Sequence, residues 1–96
     1  MSSGVLGGLP DAVIYIKSTV GTSAAALASS APADSLTFLA DASNSASIVL
    51  GIASSVTTST GFPLAAGASV SLKISNSNLI YAISASTSQV LHTIGS

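Results

Sequence analysis

From Ala12 to the C-terminus, apolar and polar residues alternate in short runs with a period of two. The segment SLTFLAD (35–41) puts Leu36, Phe38 and Ala40 on one face, and SIVLGIA (47–53) does the same for Ile48, Leu50 and Ile52. SVSLKIS (69–75) alternates most strictly, with Val70, Leu72 and Ile74 against Ser71 and Lys73. AVIYI (12–16), LIYAIS (79–84) and QVLHTI (89–94) are β-branched or aromatic runs of similar length. Period two over runs this short is the signal of strands that bury one face. The connectors carry turn chemistry. ASNSAS (42–47), SNSN (75–78) and SASTS (84–88) are Asn/Ser clusters whose side chains bond to nearby backbone. Phe62 precedes Pro63 and is therefore expected in an extended conformation. Gly67 stands where a turn into the next strand calls for positive φ.

The segment TSAAALASSAPAD (22–34) is two-sided. Its alanine run favours helix by propensity, but it is short, has no helical apolar stripe, and ends in Ser and Pro. It reads as a strand through about Leu27 followed by a loop, with a single helical turn as the alternative. Residues 1–10 are rich in Gly and Ser and read as a flexible N-terminal arm. The arm is either simply disordered, as termini often are, or docks Val5, Leu6 and Leu9 on a neighbour. The fold class that follows is all-β: a small antiparallel, jelly-roll-like β-sandwich of about six to eight short strands over residues 11–96.

Two runs are apolar on both faces. In AVIYI, Val13 and Tyr15 oppose Ala12, Ile14 and Ile16; in LIYAI, Ile80 and Ala82 oppose Leu79, Tyr81 and Ile83. An antiparallel sheet with one wet face alternates more cleanly. Either another subunit covers part of the outer surface, or these strands are central in a curled sheet.

Composition sharpens this reading. Charged residues are 5% of the 96-residue chain, hydrophobic residues 48%, and mean hydropathy is +0.74. The charges are Lys17, Lys73, Asp11, Asp34 and Asp41, for a net charge of −1. A phosphate-tracking surface or a polybasic membrane patch needs several cations, so neither nucleic acid nor an anionic membrane is an expected partner. The high hydropathy comes from Ala and β-branched residues mixed with Ser, the commonest residue; no run approaches the about 20 apolar residues of a spanning helix. The opening MSSGVLGGLP has no basic n-region and no long apolar h-region, so it is not expected to be a secretory signal. An apolar chain with so few charges stays soluble through a surface dense in Ser, Thr and Asn, by burying surface against other subunits, or by both.

Candidate chemistry is sparse. There is no cysteine, hence no disulfide, zinc knuckle or thiol nucleophile. The single histidine, His92, lies within a strand pattern, and no G-x-S-x-G elbow accompanies it, so a structural or surface role is expected rather than a catalytic triad. Asp11, Asp34 and Asp41 lack calcium-loop spacing, and Asp41, close to Asn44, reads as a turn former. GVLGG (4–8) neither follows a strand nor precedes a helix and is no phosphate loop. Tyr15, Tyr81, Phe38 and Phe62 are too few for an evident sugar- or base-stacking platform. The chain is expected not to be an enzyme and to need no cofactor or metal.

One resemblance adds to this. TVGTSAAAL (19–27), the stretch from Ser35 to Ile74, and NLIYAISASTSQVLHTI (78–94) together resemble a small β-sandwich domain that recurs in tailed-bacteriophage virions. The matching elements are Val49-Leu50-Gly51, Val56 to Ser59, the corner Gly61-Phe62-Pro63-Leu64, Gly67, Val70 to Leu72, and Leu79 to Ala85. Such domains often carry more charge, with an acid in the Gly-containing turn where this chain has Ala68, so apolar and backbone contacts are implied here. The resemblance implies a capsid decoration or cement protein: a homotrimer on the outer surface of a phage head, bound to the major capsid protein and bridging its subunits. Val5, Leu6, Leu9, Tyr15, Phe62 and Leu64 are the candidate capsid or subunit contacts, and Gly61 to Leu64 a rigid corner between the sheets. The alternative it leaves open is a receptor- or glycan-binding module of a tail, fibre or vertex.

Overall fold

The computed structural model describes residues 13–96. Its strands are β1 (Ile14–Val20), β2 (Ala25–Ala26), β3 (Leu36–Ala40), β4 (Ile48–Gly51), β5 (Phe62–Leu64), β6 (Ser69–Leu72), β7 (Tyr81–Ser84) and β8 (Gln89–Gly95), with one 3-10 turn at Ser77–Leu79. They form two four-stranded sheets, β1-β8-β3-β6 and β2-β7-β4-β5, and every pairing is antiparallel. The first strand pairs with the eighth, the second with the seventh, the third with the sixth and the fourth with the fifth. A chain doubled back on itself in this nested way, then wound into two layers, is a jelly roll.

The alternation in sequence becomes the burial pattern. Leu36, Phe38 and Ala40 of β3 are fully buried, whereas Thr37 and Leu39 face outward. Ile48 and Leu50 of β4, Leu64 of β5, Ala82 of β7 and Leu91 of β8 complete the centre, with Phe38 its largest side chain. Thr93 also points inward, and its hydroxyl is buried with no hydrogen-bond partner among the described residues.

Several sequence expectations are corrected. Ile52 does not continue the inner row of β4: the strand ends at Gly51, and Ile52 is 86% exposed. Leu79 lies in the 3-10 turn before β7. The 22–34 segment keeps its strand-then-loop reading, though the strand is only two residues long, with a loop from Leu27 to Ser35 and no helical turn. Gly61 to Leu64 is not a corner. Phe62, Pro63 and Leu64 pair with Leu50, Val49 and Ile48, and the crossing to the other sheet falls at residues 65–68. Pro63 is tolerated there because β5 is an edge strand, so its missing N–H breaks no ladder. Gly67 supplies the crossing, with φ of +83° and its N–H bonded to the Ala40 carbonyl at 2.8 Å.

The Val56 to Ser59 stretch also acquires a role. The β4–β5 connection folds back so that Val56 wedges between Gly51 and Gly61 and covers Val49 on the outer side of the sheet. A Cβ at Gly51 would fall 2.5 Å from Val56, and one at Gly61 within 2.5–2.8 Å of a Val49 methyl, the Leu50 carbonyl and a Val56 methyl. Beyond Val56, Thr57 and Thr60 close a small turn through hydroxyl and backbone bonds of 2.9–3.2 Å.

Candidate interaction surfaces

The outer face of the β1-β8-β3-β6 sheet is built by register. Tyr15, Ile94, Thr37 and Ser71 form one cross-strand row, and Lys17, His92, Leu39 and Ser69 the next. Val13 (71% exposed), Tyr15 (57%), Ile94 (47%) and Leu39 (38%) place apolar surface in these rows or beside them. Their polar companions are mostly hydroxyls, such as the Thr37–Ser71 pair at 2.7 Å. Lys17 lies on β1 at one edge of the sheet and Lys73 just beyond β6 at the other, so the two cations share no patch.

One polar cluster interrupts this face. His92 stands on β8 between β1 and β3. Its Nδ1 is 2.7 Å from the Tyr15 hydroxyl and its Nε2 2.8 Å from Asp41 Oδ1. The Tyr15 ring stacks on the imidazole with centroids 5.9 Å apart. With Asp41 ionised, Nε2–H donates to the carboxylate and Nδ1 accepts the phenolic proton, so the carboxylate selects the tautomer. The other Asp41 oxygen accepts the Ser43 backbone N–H at 3.0 Å and the Ser43 hydroxyl. Asp41 is thus the turn former expected from sequence, and it also orients His92. The order Asp–His–hydroxyl matches a catalytic relay, but the hydroxyl is a phenol packed against the ring. The geometry serves as a clasp joining β1, β8 and the β3–β4 loop.

The clasp makes stability pH-dependent. The Ser43 hydroxyl, then His92 and the Ser43 N–H, hold the Asp41 carboxyl well below the usual carboxylate range, against a smaller opposing effect of desolvation. A carboxyl depressed in the folded state contributes stability that is complete above its unfolded value, about 3.9, and is lost as pH falls through that value toward the folded one. The difference in melting temperature between the parent and Asp41→Asn is therefore expected to be largest above about pH 5 and to shrink steadily below about pH 4. Melting curves of both proteins from neutral pH to pH 2 check this. A difference that does not vary with pH would show that Asp41 acts by packing alone.

The remaining polar residues with buried contacts act as backbone surrogates. Asn44 exchanges two hydrogen bonds with Val90, N–H to Oδ1 at 2.8 Å and Nδ2 to carbonyl at 2.9 Å, as a strand residue would. Gln89, 4% exposed, accepts from the Ser45 and Ala46 amides and donates to the Thr87 carbonyl and the Ser45 hydroxyl. At the opposite end, Asn76 pairs in the same way with the Ser30 backbone, and Ser77 donates to the Ala28 carbonyl. These side chains fix loops and are not free to bind ligands.

A second apolar region lies where β5, the edge of one sheet, faces β6, the edge of the other. A groove of about 240 Å³ opens there with no polar atom exposed on its walls. Phe62 (54% exposed) and Ile52 stand at its rim.

Of the candidate contact residues, Tyr15 and Phe62 are at the surface, one in each region. Leu64 is not: it turns inward opposite Ile48 and is 2% exposed, so it belongs to the core. Val5, Leu6 and Leu9 lie outside the described residues. Sequence reading missed Leu39 and Ile94, whose outward parity on β3 and β8 was present in the alternation but overshadowed by the inward rows. The both-faces-apolar segments divide. β7 is central in its sheet, whereas β1 is an edge strand, so a central position does not account for exposed Val13 and Tyr15. No protein-family model matches the chain, and comparison with curated proteins and with solved structures gave no match.

Proposed function

We propose that this chain is a structural virion protein that decorates the outside of a tailed-bacteriophage head, as a homotrimer bridging copies of the major capsid protein. The observation that carries the reading is the outer face of the β1-β8-β3-β6 sheet. It exposes Val13, Tyr15, Leu39 and Ile94 in a chain with almost no charge, the arrangement of a surface made to be covered. The sequence resemblance supplies the partner, and the jelly roll is an architecture used by capsid domains among others. Bridging turns weak apolar contacts into firm holding, because a second contact of a tethered copy forms at high effective concentration. Docking of this kind tolerates salt, since screening acts on exposed charges and not on apolar burial.

The test is the copy number of the chain in purified particles relative to the major shell protein. A ratio near one, or a simple fraction of it over hundreds of copies, is the expected result. A handful of copies would replace this reading with a tail, fibre or vertex module that binds a receptor or glycan. Absence from particles would overturn the virion reading.

A further inference from the structure

The two sheets end in four edge strands, β1, β6, β2 and β5, and three of these edges are blunted. β2 has only two residues. β5 has three, one of them Pro63. β6 has four and runs directly into Lys73. Short strands, proline and lysine are the usual means of keeping an edge from pairing with another chain. β1 differs. It is seven residues long and contains no proline. Its register with β8 is unbroken from Ile14–Gly95 to Val20–Gln89, so no bulge bends it away. Among the described residues β8 is its sole strand partner. The edge of the facing sheet does not close over it: a cleft of about 290 Å³ opens between Ile16, Ser18 and Val20 of β1 and Ala25, Ala26 and Leu27.

The side chains of β1 define the strand that fits. Lys17 is its middle residue, exposed on the outer face. Its neighbour on β8 is His92, whose ring nitrogens are taken by Tyr15 and Asp41, and Lys17 has no ion-pair partner among the described residues. Two copies pairing β1 with β1 antiparallel over the whole strand would set Lys17 opposite Lys17. Like charges directly opposite each other are destabilising. A slip of one residue turns the faces over, and a slip of two shortens the pairing. The edge therefore disfavours its own copy and suits a strand with a carboxylate at the matching position. On the inner side, half-buried Ile16 and Ser18 border the cleft, whose opposite wall is Ala25, Ala26 and Leu27, so the matching positions take small apolar side chains.

We propose that β1 is a docking edge for an extended segment of another protein, one that alternates small apolar residues with polar ones and carries Asp or Glu opposite Lys17. Main-chain hydrogen bonds to the edge supply the affinity, and Lys17 and the cleft supply register and selectivity, as in other cases of strand addition. A strand added there extends the outer apolar face sideways and leaves it open. The inference does not depend on the virion reading.

The probe is the end-blocked peptide Val-Thr-Val-Asp-Val-Thr-Val on a fluorescent, solubilising polyethylene-glycol tail, with a second peptide that has Lys in place of Asp. Two further versions carry N-methyl groups on alternate amides, one on the Val residues and one on Thr and Asp. Only one of these two sets faces β1 in a paired strand. Binding to the full-length chain is followed by fluorescence anisotropy. The expected result is saturable binding of the Asp peptide, at least threefold tighter than that of the Lys peptide, with the order reversed by Lys17→Glu, because an attraction across the strands is exchanged for a repulsion. One methylated peptide should bind and the other should not. Methylated peptides that behave alike would overturn strand pairing. A preference for the Asp peptide that survives Lys17→Glu would overturn the assignment to this edge. Failure of every peptide to bind would overturn the proposal, and a dimer in sedimentation equilibrium would then give the edge to a second copy.

Discussion

Replacing Phe38 with Ala is expected to cost about 3–5 kcal/mol, the range for emptying a large buried aromatic site. Phe38 is fully buried on β3, with β6 and β8 on either side of it in the sheet and the facing sheet across the core. The loss combines the transfer free energy of the ring with the cavity left by strands too well paired to collapse. Domains of this size are stable by roughly 5–15 kcal/mol in total, so the variant should lie near its folding limit. At about 4–8 °C per kcal/mol for a domain of 60–100 residues, its melting temperature should drop by more than about 12 °C. Thermal and urea unfolding measure this; a fall of only a few degrees would mean that Phe38 is not the centre of the core. A complementary substitution adds atoms instead of removing them. Gly95 is on the inner side of β8, and a Cβ there would collide with the Ser35 carbonyl and with Leu36. Those are backbone and core atoms, so Gly95→Ala should cost about 1–3 kcal/mol through overpacking despite adding a single methyl.

Phe38 also illustrates how far the sequence can be read. Alternation placed Leu36, Phe38 and Ala40 on one buried face, because a period of two needs no knowledge of partners. Composition and turn residues were enough for an all-β sandwich, and the position of Gly67 was enough for a positive-φ turn. Elements that depend on pairing were less legible. Pro63 reads locally as a corner; only the edge position of β5 makes it a strand residue. Ile52 continues the apolar parity of β4, yet Val56 has to fold back over Gly51, and the strand stops there. The Tyr15–His92–Asp41 clasp joins residues 77 and 51 positions apart. It exists because β8 lies between β1 and β3, an order that no local pattern encodes. Asn44 and Asn76 looked like ordinary turn formers and Gln89 like the start of a strand; their buried contacts arise only once two loops meet.

The same order of strands makes the outer face of the β1-β8-β3-β6 sheet testable apart from the fold. Leu39 and Ile94 point away from the core, on β3 and β8, and are 38% and 47% exposed. Leu39→Ser combined with Ile94→Ser should leave the melting temperature within about 8 °C of the parent, since exposed substitutions usually change stability by about 0.5 kcal/mol or less each. If the face docks on a shell, the same pair should weaken binding to undecorated heads at least tenfold. Covering the rest of two such side chains is worth on the order of 1–2 kcal/mol, and 1.4 kcal/mol is a factor of ten. Repeated contacts on one particle multiply the effect. Binding of the parent should change little between low and high salt, because the two lysines, Lys17 and Lys73, stand at opposite edges of that sheet and a long-range charge attraction has little to act on. Sedimentation of heads with the parent, the double variant and a Lys17→Ser variant distinguishes these cases. Loss of binding on Lys17→Ser, with the double variant unaffected, would move the docking force from apolar burial to charge.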